Sequence, residues 1–275
     1  MPSSLPAPSE RLLPLTLWPA NDRAALIGVF TDIDDTLTTE GAIAPEALRA
    51  LHDLKAAGLP VIAITGRPVG WSEPFALVWP VDAIVAENGA VALVNEHGVL
   101  AKTYQQDDAT RKRNYARMQA VLARIEREIP GARRATDSAG RECDIAIDHS
   151  EFVQLDDARI AAVVTLMREE GMHATVSSIH VNGWYGEHNK LEGARWIVRE
   201  LWGRSLDEEM GHWAYVGDST NDALMFQHFA HSVGVANVRR FESALSHLPR
   251  YVAPSERGAG FAEVAAAILL ASRRS

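Results

Sequence analysis

Cysteine is almost absent from this sequence of 275 residues, which contains only Cys143. A single thiol cannot close an intramolecular disulfide, and it cannot supply a thiolate cage for zinc. The sequence therefore excludes a disulfide-rich secreted domain and a zinc ribbon. Because structural disulfides belong to oxidising compartments, we expect a protein of the reducing cytoplasm.

Long hydrophobic runs are absent as well. The longest apolar runs, such as residues 264–271, are far shorter than the roughly 20 residues of a membrane-spanning helix, so no membrane partner is expected. Five of the 13 prolines fall within residues 1–20, but no basic stretch followed by an apolar core marks a secretion signal there. We predict a flexible, proline-rich tail over residues 1–22.

Positive charge is in deficit. The 27 Lys and Arg residues stand against 36 Asp and Glu residues, and the formal net charge is −9. An acidic chain of this kind is repelled by the phosphate backbone, so we expect no nucleic-acid partner. With 47% hydrophobic residues, the chain can bury a core of one large or two ordinary domains. The sequence does not indicate an oligomeric state.

Short apolar runs alternate with a helical pattern in the first third of the chain. Residues 25–30, 59–64 and 83–86 are apolar, and each run stops at small or polar residues. Residues 45–57 carry apolar residues at helical spacing, with proline near the start and glycine just after the end. The pattern predicts an α/β fold with a doubly wound, mainly parallel sheet, whose ligands bind at the carboxyl ends of its strands.

The pattern changes between residues 91 and 185, where a hairpin, two long helices and three further strands are predicted. The strand–helix alternation resumes after residue 186. The chain therefore leaves one domain and returns to it. We predict a catalytic core formed by residues 23–90 and 186–275, with an inserted α+β domain over residues 91–185.

Asp32 and Asp34 follow the first predicted strand. A period of two places both carboxylates on the same side, which is typical of a paired-carboxylate site, although an acidic turn is the alternative. A calcium-binding EF-hand loop beginning at Asp32 would need Gly at its sixth position and Glu at its twelfth. The chain has Leu37 and Ile43 there, so this class of site is excluded.

A second acidic loop, with Asp218 and Asp222, follows the apolar run at residues 213–216 and opens a helix. A capped helix start is the alternative interpretation of this loop, but it explains only one of the two aspartates. Carboxylates gathered at one sheet edge repel each other unless a cation neutralises them, and oxygen ligands favour Mg²⁺. The two loops together predict a magnesium site.

Phosphate-binding groups are also present. Thr65 and Gly66 end the second predicted strand, where a hydroxyl and a free backbone N–H can hold a phosphate oxygen, and Lys190 can supply a positive charge. Taken alone, Lys190 is better interpreted as a solvated surface lysine, and only its combination with the other motifs favours a phosphate-binding role.

The last strand of the insertion alternates between polar and apolar residues. His180, Asn182 and Trp184 share one face, which suits a sugar-like ligand. A strand with its polar side in water is the alternative.

Taken in order, these motifs resemble the four motifs of the haloacid dehalogenase superfamily, over residues 25 to about 270. The insertion is similar to the C2-type cap of subfamily IIB, which includes sucrose phosphatases, mannosyl-3-phosphoglycerate phosphatases and Cof-like sugar phosphatases. The segment Glu87-Asn88-Gly89-Ala90 resembles the Asn-Gly element of that subfamily, and Asp35 stands where many members have glycine. The residues that match the four motifs are Asp32, Asp34 and Thr36; Thr65, Gly66 and Arg67; Asn189 and Lys190; and Gly217, Asp218, Asn221 and Asp222.

The resemblance implies a phosphatase that forms an aspartyl-phosphate on Asp32, with Asp34 as general acid and base. The expected substrate is a small phosphorylated metabolite of the sugar or sugar-acid type. A phosphohexomutase and a non-catalytic phosphate-binding module remain as alternatives. The implied Mg²⁺ ligands are Asp32, Asp34, Asp218 and Asp222; the implied phosphate-binding residues are Thr65 and Lys190. The other expected substrate-binding residues are Gly66, Arg67, Asn88, His180, Asn182 and Asn221.

Overall fold

A nine-stranded sheet forms the centre of the molecule in the computed structural model, which describes residues 12–272. Its strands, in spatial order, are β1 (Leu13–Pro14), β15 (Tyr251–Val252), β14 (His231–Gly234), β13 (Trp213–Gly217), β2 (Gly28–Thr31), β5 (Val61–Ile64), β6 (Ala83–Ala86), β7 (Val91–Glu96) and β8 (Val99–Tyr104). The first seven run parallel, and β7 and β8 are antiparallel additions at one edge. The predicted mainly parallel α/β sheet is confirmed.

Helices cover both faces of this sheet because alternate residues of each central strand point to opposite sides. Val29 packs into an apolar cluster on one side of the sheet, whereas its neighbour Phe30 packs into a second apolar cluster on the other side. The helices are α1 (Ala20–Ala24), α2 (Pro45–Ala56), α3 (Val69–Val78), α6 (Lys190–Trp202), α7 (Leu206–Glu209), α8 (Ala223–His228) and α9 (Arg257–Ser272). Within residues 12–272, no helix combines the length and the apolar character needed to cross a membrane.

A second domain, called the cap below, is built on its own four-stranded antiparallel sheet. Its strands, in spatial order, are β11 (His173–Val176), β12 (His180–Trp184), β10 (Ile145–Asp148) and β9 (Arg133–Arg134). Helices α4 (Asp108–Glu128) and α5 (Asp157–Glu169) pack on one face and enclose a separate apolar cluster that includes Met118, Val163 and Val181. The predicted α+β insertion is therefore present, and its opposite face is turned to the core.

Residues 12–22 differ from the predicted flexible tail, because they form regular structure. Residues 1–11 of that tail lie outside the described residues, but Leu13 pairs with Tyr251 in a parallel ladder. Trp18 is 1% exposed and stacks on Tyr251 with ring centroids 5.5 Å apart. The prediction is wrong for residues 12–22, because proline is compatible with an edge strand and the Trp18 side chain buries against the sheet.

The boundary of the insertion also differs from the prediction at residue 91. The hairpin β7–β8 extends the core sheet, with Leu93 opposite Ile84, and Val91 and Leu93 are fully buried in the core. The cap therefore begins after Tyr104. A two-stranded hairpin, β3 (Thr38–Thr39) with β4 (Ala42–Ile43), follows β2.

Candidate active site

The sequence motifs meet at the carboxyl ends of the parallel strands. Asp32 directly follows β2, and its backbone N–H donates to the Val216 carbonyl on β13 over 2.8 Å. Lys190, the first residue of α6, donates from Nζ to Asp32 Oδ1 over 2.9 Å. Both side chains are almost fully buried. Lys190 is therefore a site residue and not a surface lysine.

Three buried carboxylates form the centre of the site. Ligand atoms of Asp32, Asp218 and Asp222 all lie within 4.8 Å of one another. Burial raises the pKa of Asp32 to about 7, although the Lys190 ammonium lowers it. Burial and the carboxylates of Asp222 and Asp32 raise the pKa of Asp218 well above its ordinary value. This triad contains more negative charge than one ammonium can neutralise.

The donor set fits a hard divalent cation, because three carboxylates meet and only one ammonium opposes them. Asp218 is held by Asn237 Nδ2 at 3.0 Å and by the Thr36 hydroxyl at 3.4 Å. Asp32 and Asp218 are the residues best placed to bind a cation. We assign no further geometry to it.

Asp222 already has several hydrogen-bond donors. Its Oδ1 accepts from Lys190 Nζ over 2.7 Å and from the Tyr215 hydroxyl, and its Oδ2 accepts from the N–H groups of Asp218 and Ser219. Ser219 and Asp222 also form a capping box at the start of the helical segment. The capped-helix interpretation is thus correct for Asp222, whose carboxylate also orients Lys190.

Asp34 has different surroundings. Arg67 Nε donates to both of its oxygens, over 2.9 and 3.1 Å. The other guanidinium nitrogens of Arg67 reach the cap, one to Glu151 at 2.9 Å and one to Asp137 at 3.3 Å. Burial raises the pKa of Asp34, and Arg67 opposes this shift.

His180 completes this arrangement. Its Nε2 lies 3.0 Å from Glu151 Oε2, so a chain of contacts runs from Asp34 through Arg67 and Glu151 to His180. Burial raises the pKa of Glu151, but His180 and Arg67 together lower it to about 2. We call Asp34, Arg67, Asp137, Glu151 and His180 the Arg67 cluster. It links the core to the cap beside the triad.

Side chains of the cap also bind the loop that follows β5. Thr65 is fully buried, and its hydroxyl accepts from the Arg67 N–H over 3.0 Å. The Gly66 carbonyl accepts from Arg141 and from Asn182 Nδ2, at 3.0 and 3.3 Å. The predicted residues Thr65, Gly66 and Asn182 therefore lie together.

Asn88 adopts a left-handed backbone conformation, with φ of 55°. Its side-chain amide lies 3.5 Å from Asp144 Oδ2, which also accepts from Asn182 over 3.0 Å. The preceding residue, Glu87, is fully buried and accepts from the backbone N–H groups of residues 142–144 of the cap. Glu87 thus fastens this cap segment beside Asn88.

Asp35, which replaces the common glycine of the family pattern, also has a left-handed conformation, with φ of 53°. Aspartate tolerates this region better than most residues. Its carboxylate pairs with Arg257 over 3.0 Å, so the loop after β2 keeps its shape without glycine.

A cavity of about 370 Å³ lies between core and cap. Core residues Asn88, Lys190 and Asn221 line it, as do Thr175 and Trp184 of the cap. His180 and Asn182 do not line it. Trp184 is buried and stacks with His173 and with His188, at 6.0 and 5.5 Å between ring centroids.

The sequence analysis missed several residues that organise the site. Glu151 and Asp137 hold Arg67, Arg141 holds the Gly66 carbonyl, and Asn237 holds Asp218. No local pattern distinguishes them from surface residues. Among the residues that organise the site, Glu87 could have been found from the sequence, since it directly precedes Asn88.

Comparison with known proteins agrees with this geometry. Residues 29–127 match the family model of haloacid dehalogenase-like hydrolases. A curated relative, named phosphoglycolate phosphatase, from Methanothermobacter thermautotrophicus is 24% identical over 247 residues, covering 86% of this chain and 95% of the relative.

Solved structures share the fold along most of the chain. A Thermoplasma acidophilum protein superposes with a TM-score of 0.69 at 16% identity, covering 89% of this chain and 99% of that protein. The sucrose-phosphatase of Synechocystis, solved with sucrose and phosphate, superposes with a TM-score of 0.62 at 17% identity, covering 88% and 97%. The chain is therefore similar to the haloacid dehalogenase-like hydrolases over residues 29–127, and it shares the fold of these solved structures along most of its length.

Proposed function

We propose that the chain is a Mg²⁺-dependent phosphatase that hydrolyses a phosphate monoester of a sugar or sugar acid through an aspartyl-phosphate intermediate. The observation that carries the proposal is the placement of the buried Asp32 carboxylate between Lys190, 2.9 Å away, and the carboxylates of Asp218 and Asp222. A nucleophile, a positive charge and a cation-binding donor set meet at one point.

In the first step, a carboxylate oxygen of Asp32 forms a bond to phosphorus, and the bond from phosphorus to the alcohol oxygen breaks. In the second step, water attacks the aspartyl-phosphate, releases inorganic phosphate and restores Asp32. Mg²⁺ bound by Asp32, Asp218 and the Asp34 carbonyl would neutralise charge on the phosphoryl oxygens. Asp222 acts here through Lys190, which it holds at 2.7 Å.

Asp34 is the proposed general acid. It gives a proton to the leaving alcohol oxygen and takes one from the attacking water, so the proton count is restored after each cycle. Burial raises its pKa, which favours holding the proton before the first step. Arg67, bonded to both oxygens of Asp34, orients this carboxyl group.

Phosphate oxygens would be bound by the Thr65 hydroxyl, the Gly66 N–H and Lys190, all beside Asp32. Asn88 and Asn221 line the adjoining cavity and are proposed to contact the alcohol part of the substrate. His180 and Asn182 are proposed to act from the cap, either on the sugar or through the groups that they hold.

The names of the relatives support a phosphatase over a mutase, because the curated relative is named for phosphoglycolate and a structural neighbour is a sucrose-phosphatase. A phosphate-release assay over a panel of sugar phosphates and phosphorylated acids, with Mg²⁺ or with EDTA, tests the proposal. We expect Mg²⁺-dependent release of inorganic phosphate without a bisphosphate activator. Isomerisation that requires such an activator would instead indicate a mutase, and no turnover of any ester would support a binding module.

A further inference from the structure

The cavity between core and cap has an unusual charge balance for this chain. Acidic residues outnumber basic ones by 36 to 27, yet none of the residues lining this cavity is acidic. Two cations line it, Lys190 from the core and Arg168 from the cap, together with His173. A cavity of this composition favours anionic ligands.

The positive charges of Lys190 and Arg168 differ in whether an acidic side chain neutralises them. Lys190 is bonded to Asp32 and Asp222, and it bounds the cavity on the side of the proposed reaction centre. Arg168 lies in the last turn of α5 and is exposed. Within residues 12–272, the structure shows no ion pair or hydrogen bond of its guanidinium group. Its charge is therefore available to a ligand.

His173 follows Arg168 across the turn that ends α5. Its ring is half-exposed and lies 4.0 Å from the Glu187 carboxylate, which is itself 98% exposed. Glu187 does not line the cavity.

Neutral hydrogen-bonding groups lie between the two cations. The Thr175 hydroxyl is buried in the cavity wall and has no hydrogen-bond partner within the described part of the chain. Asn88 and Asn221 add side-chain amides. The Thr175 hydroxyl oxygen has no accessible surface toward the cavity, so the two amides are the neutral groups that suit a hydroxylated ligand. The volume, about 370 Å³, is in the range of small-molecule sites.

We propose that the substrate's alcohol part carries a second anionic group, a carboxylate or a second phosphate, which pairs with Arg168 while hydroxyl groups bond to the amides of Asn88 and Asn221. This inference rests on the proposed phosphatase function and narrows its substrate class. A neutral sugar phosphate would leave the Arg168 charge without a partner in the complex. Arg168 is thus a specificity residue and not a catalytic one.

Matched pairs of esters that differ in this group alone provide the test. For a carboxylate, 3-phosphoglycerate is compared with glycerol 3-phosphate, and 6-phosphogluconate with the open-chain glucitol 6-phosphate. For a second phosphate, fructose 1,6-bisphosphate is compared with fructose 6-phosphate. We expect kcat/KM to be about tenfold higher for the anionic member of at least one pair, because a charge-assisted bond is made only there. The pair that shows the preference identifies the group.

Two variants on the same helix connect the preference to the residue. Arg168→Gln should lower the ratio of kcat/KM between paired esters about tenfold, through a higher KM for the anionic member. Arg159→Gln is the control, since Arg159 pairs with Asp156 at the other end of α5 and does not line the cavity. The control should keep the wild-type ratio.

The outcomes separate the inference from the proposed function. Phosphate release with equal kcat/KM for both members of every pair would overturn the inference and leave the phosphatase standing. An anionic preference that persists in Arg168→Gln would also overturn it. If no ester releases phosphate, both fail together.

Discussion

Asp32 and Asp34 are two residues apart in the chain, yet the groups that surround them come from different domains. Asp32 lies among carboxylates, with Lys190 as the cation bonded to it, and its partners come from the core. Asp34 is bonded to Arg67, which the cap holds through Asp137 and Glu151. The first environment is built by the core, and the second depends on the cap.

The difference indicates a division of work. The triad around Asp32 needs a cation to be neutral, and it can recognise only the phosphoryl group. The Arg67 cluster places the proposed acid beside the domain that contacts the rest of the substrate. In the proposed mechanism, the bond-forming step is thus supported by the core, whereas proton transfer by Asp34 is coupled to the cap. Five predictions test this contrast.

Asp32→Asn should have the largest effect. Replacing the nucleophile should lower turnover on the order of 10⁴-fold or more, because no other carboxylate can take its position at Lys190. The variant should fold, since asparagine has the same shape. Circular dichroism checks the fold, and trapping by beryllofluoride, which we expect in the wild type, should be lost. A near-normal rate would contradict the proposed mechanism.

Metal removal should also affect the surroundings of Asp32, because the triad is the proposed cation site. EDTA should stop phosphate release from every ester. Without the metal, the pKa of Asp32 is about 7 in the folded state and 3.8 in the unfolded chain. The folded state therefore binds the Asp32 proton more tightly than the unfolded chain does. This contribution to stability is present below pH 4 and is lost as the pH rises through 7.

Urea unfolding from pH 4 to pH 8 measures this trend, with Asp32→Asn as control. The difference in unfolding free energy between wild type and variant should fall with rising pH in EDTA. Saturating Mg²⁺ should oppose the fall, because a cation stabilises the ionised carboxylate. A difference that does not change with pH would contradict the electrostatic account of the triad.

Asp34→Asn tests the proposed general acid in the Arg67 cluster. General-acid catalysis contributes roughly 10²- to 10⁴-fold, and it matters most for a basic leaving oxygen. The variant should therefore lose this factor on alkyl phosphates and far less on an activated aryl phosphate. Steady-state rates on both ester types, in the same buffer, provide the measurement. Equal losses would rule out Asp34 as the acid.

Arg67→Gln removes the link between core and cap. Asp34, Asp137 and Glu151 would lose their shared cation, and breaking a buried ion pair costs about 3–5 kcal/mol. We expect lower stability and faster proteolysis at residues 105–107 and 185–189, which connect the domains. Arg134→Gln, which breaks an exposed pair with Glu126 inside the cap, is the matched control. Similar effects in both variants would argue against the link.

Substitutions in the last cap strand should have the smallest effect. His180→Ala and Asn182→Ala each remove a hydrogen bond, worth about 0.5–1.5 kcal/mol. If they contact the sugar, KM should rise for the sugar phosphate with little change for a small aryl phosphate. An equal fall in kcat/KM for both esters would show that they act through Glu151 and Asp144 instead.

Local sequence patterns determined the sheet and the catalytic loops. The strands β2, β5, β6 and β13 are short buried runs. When polar residues follow such a strand, they lie at the carboxyl edge of the sheet, whichever strands it pairs with. Asp32 and Asp218 could be found in this way. The cap helices and strands were also predictable, because their periodicity is a property of neighbouring residues.

Contacts between distant segments were decided only in the tertiary structure. Leu13 joins the sheet because Tyr251 offers a free edge, and the β7–β8 hairpin belongs to the core because β6 accepts it. Glu151 becomes important only where the folded cap brings it to Arg67. Arg168 likewise gains a role from the cavity it lines. Such pairings depend on which surfaces meet, and a local pattern of burial does not encode the identity of the opposite surface.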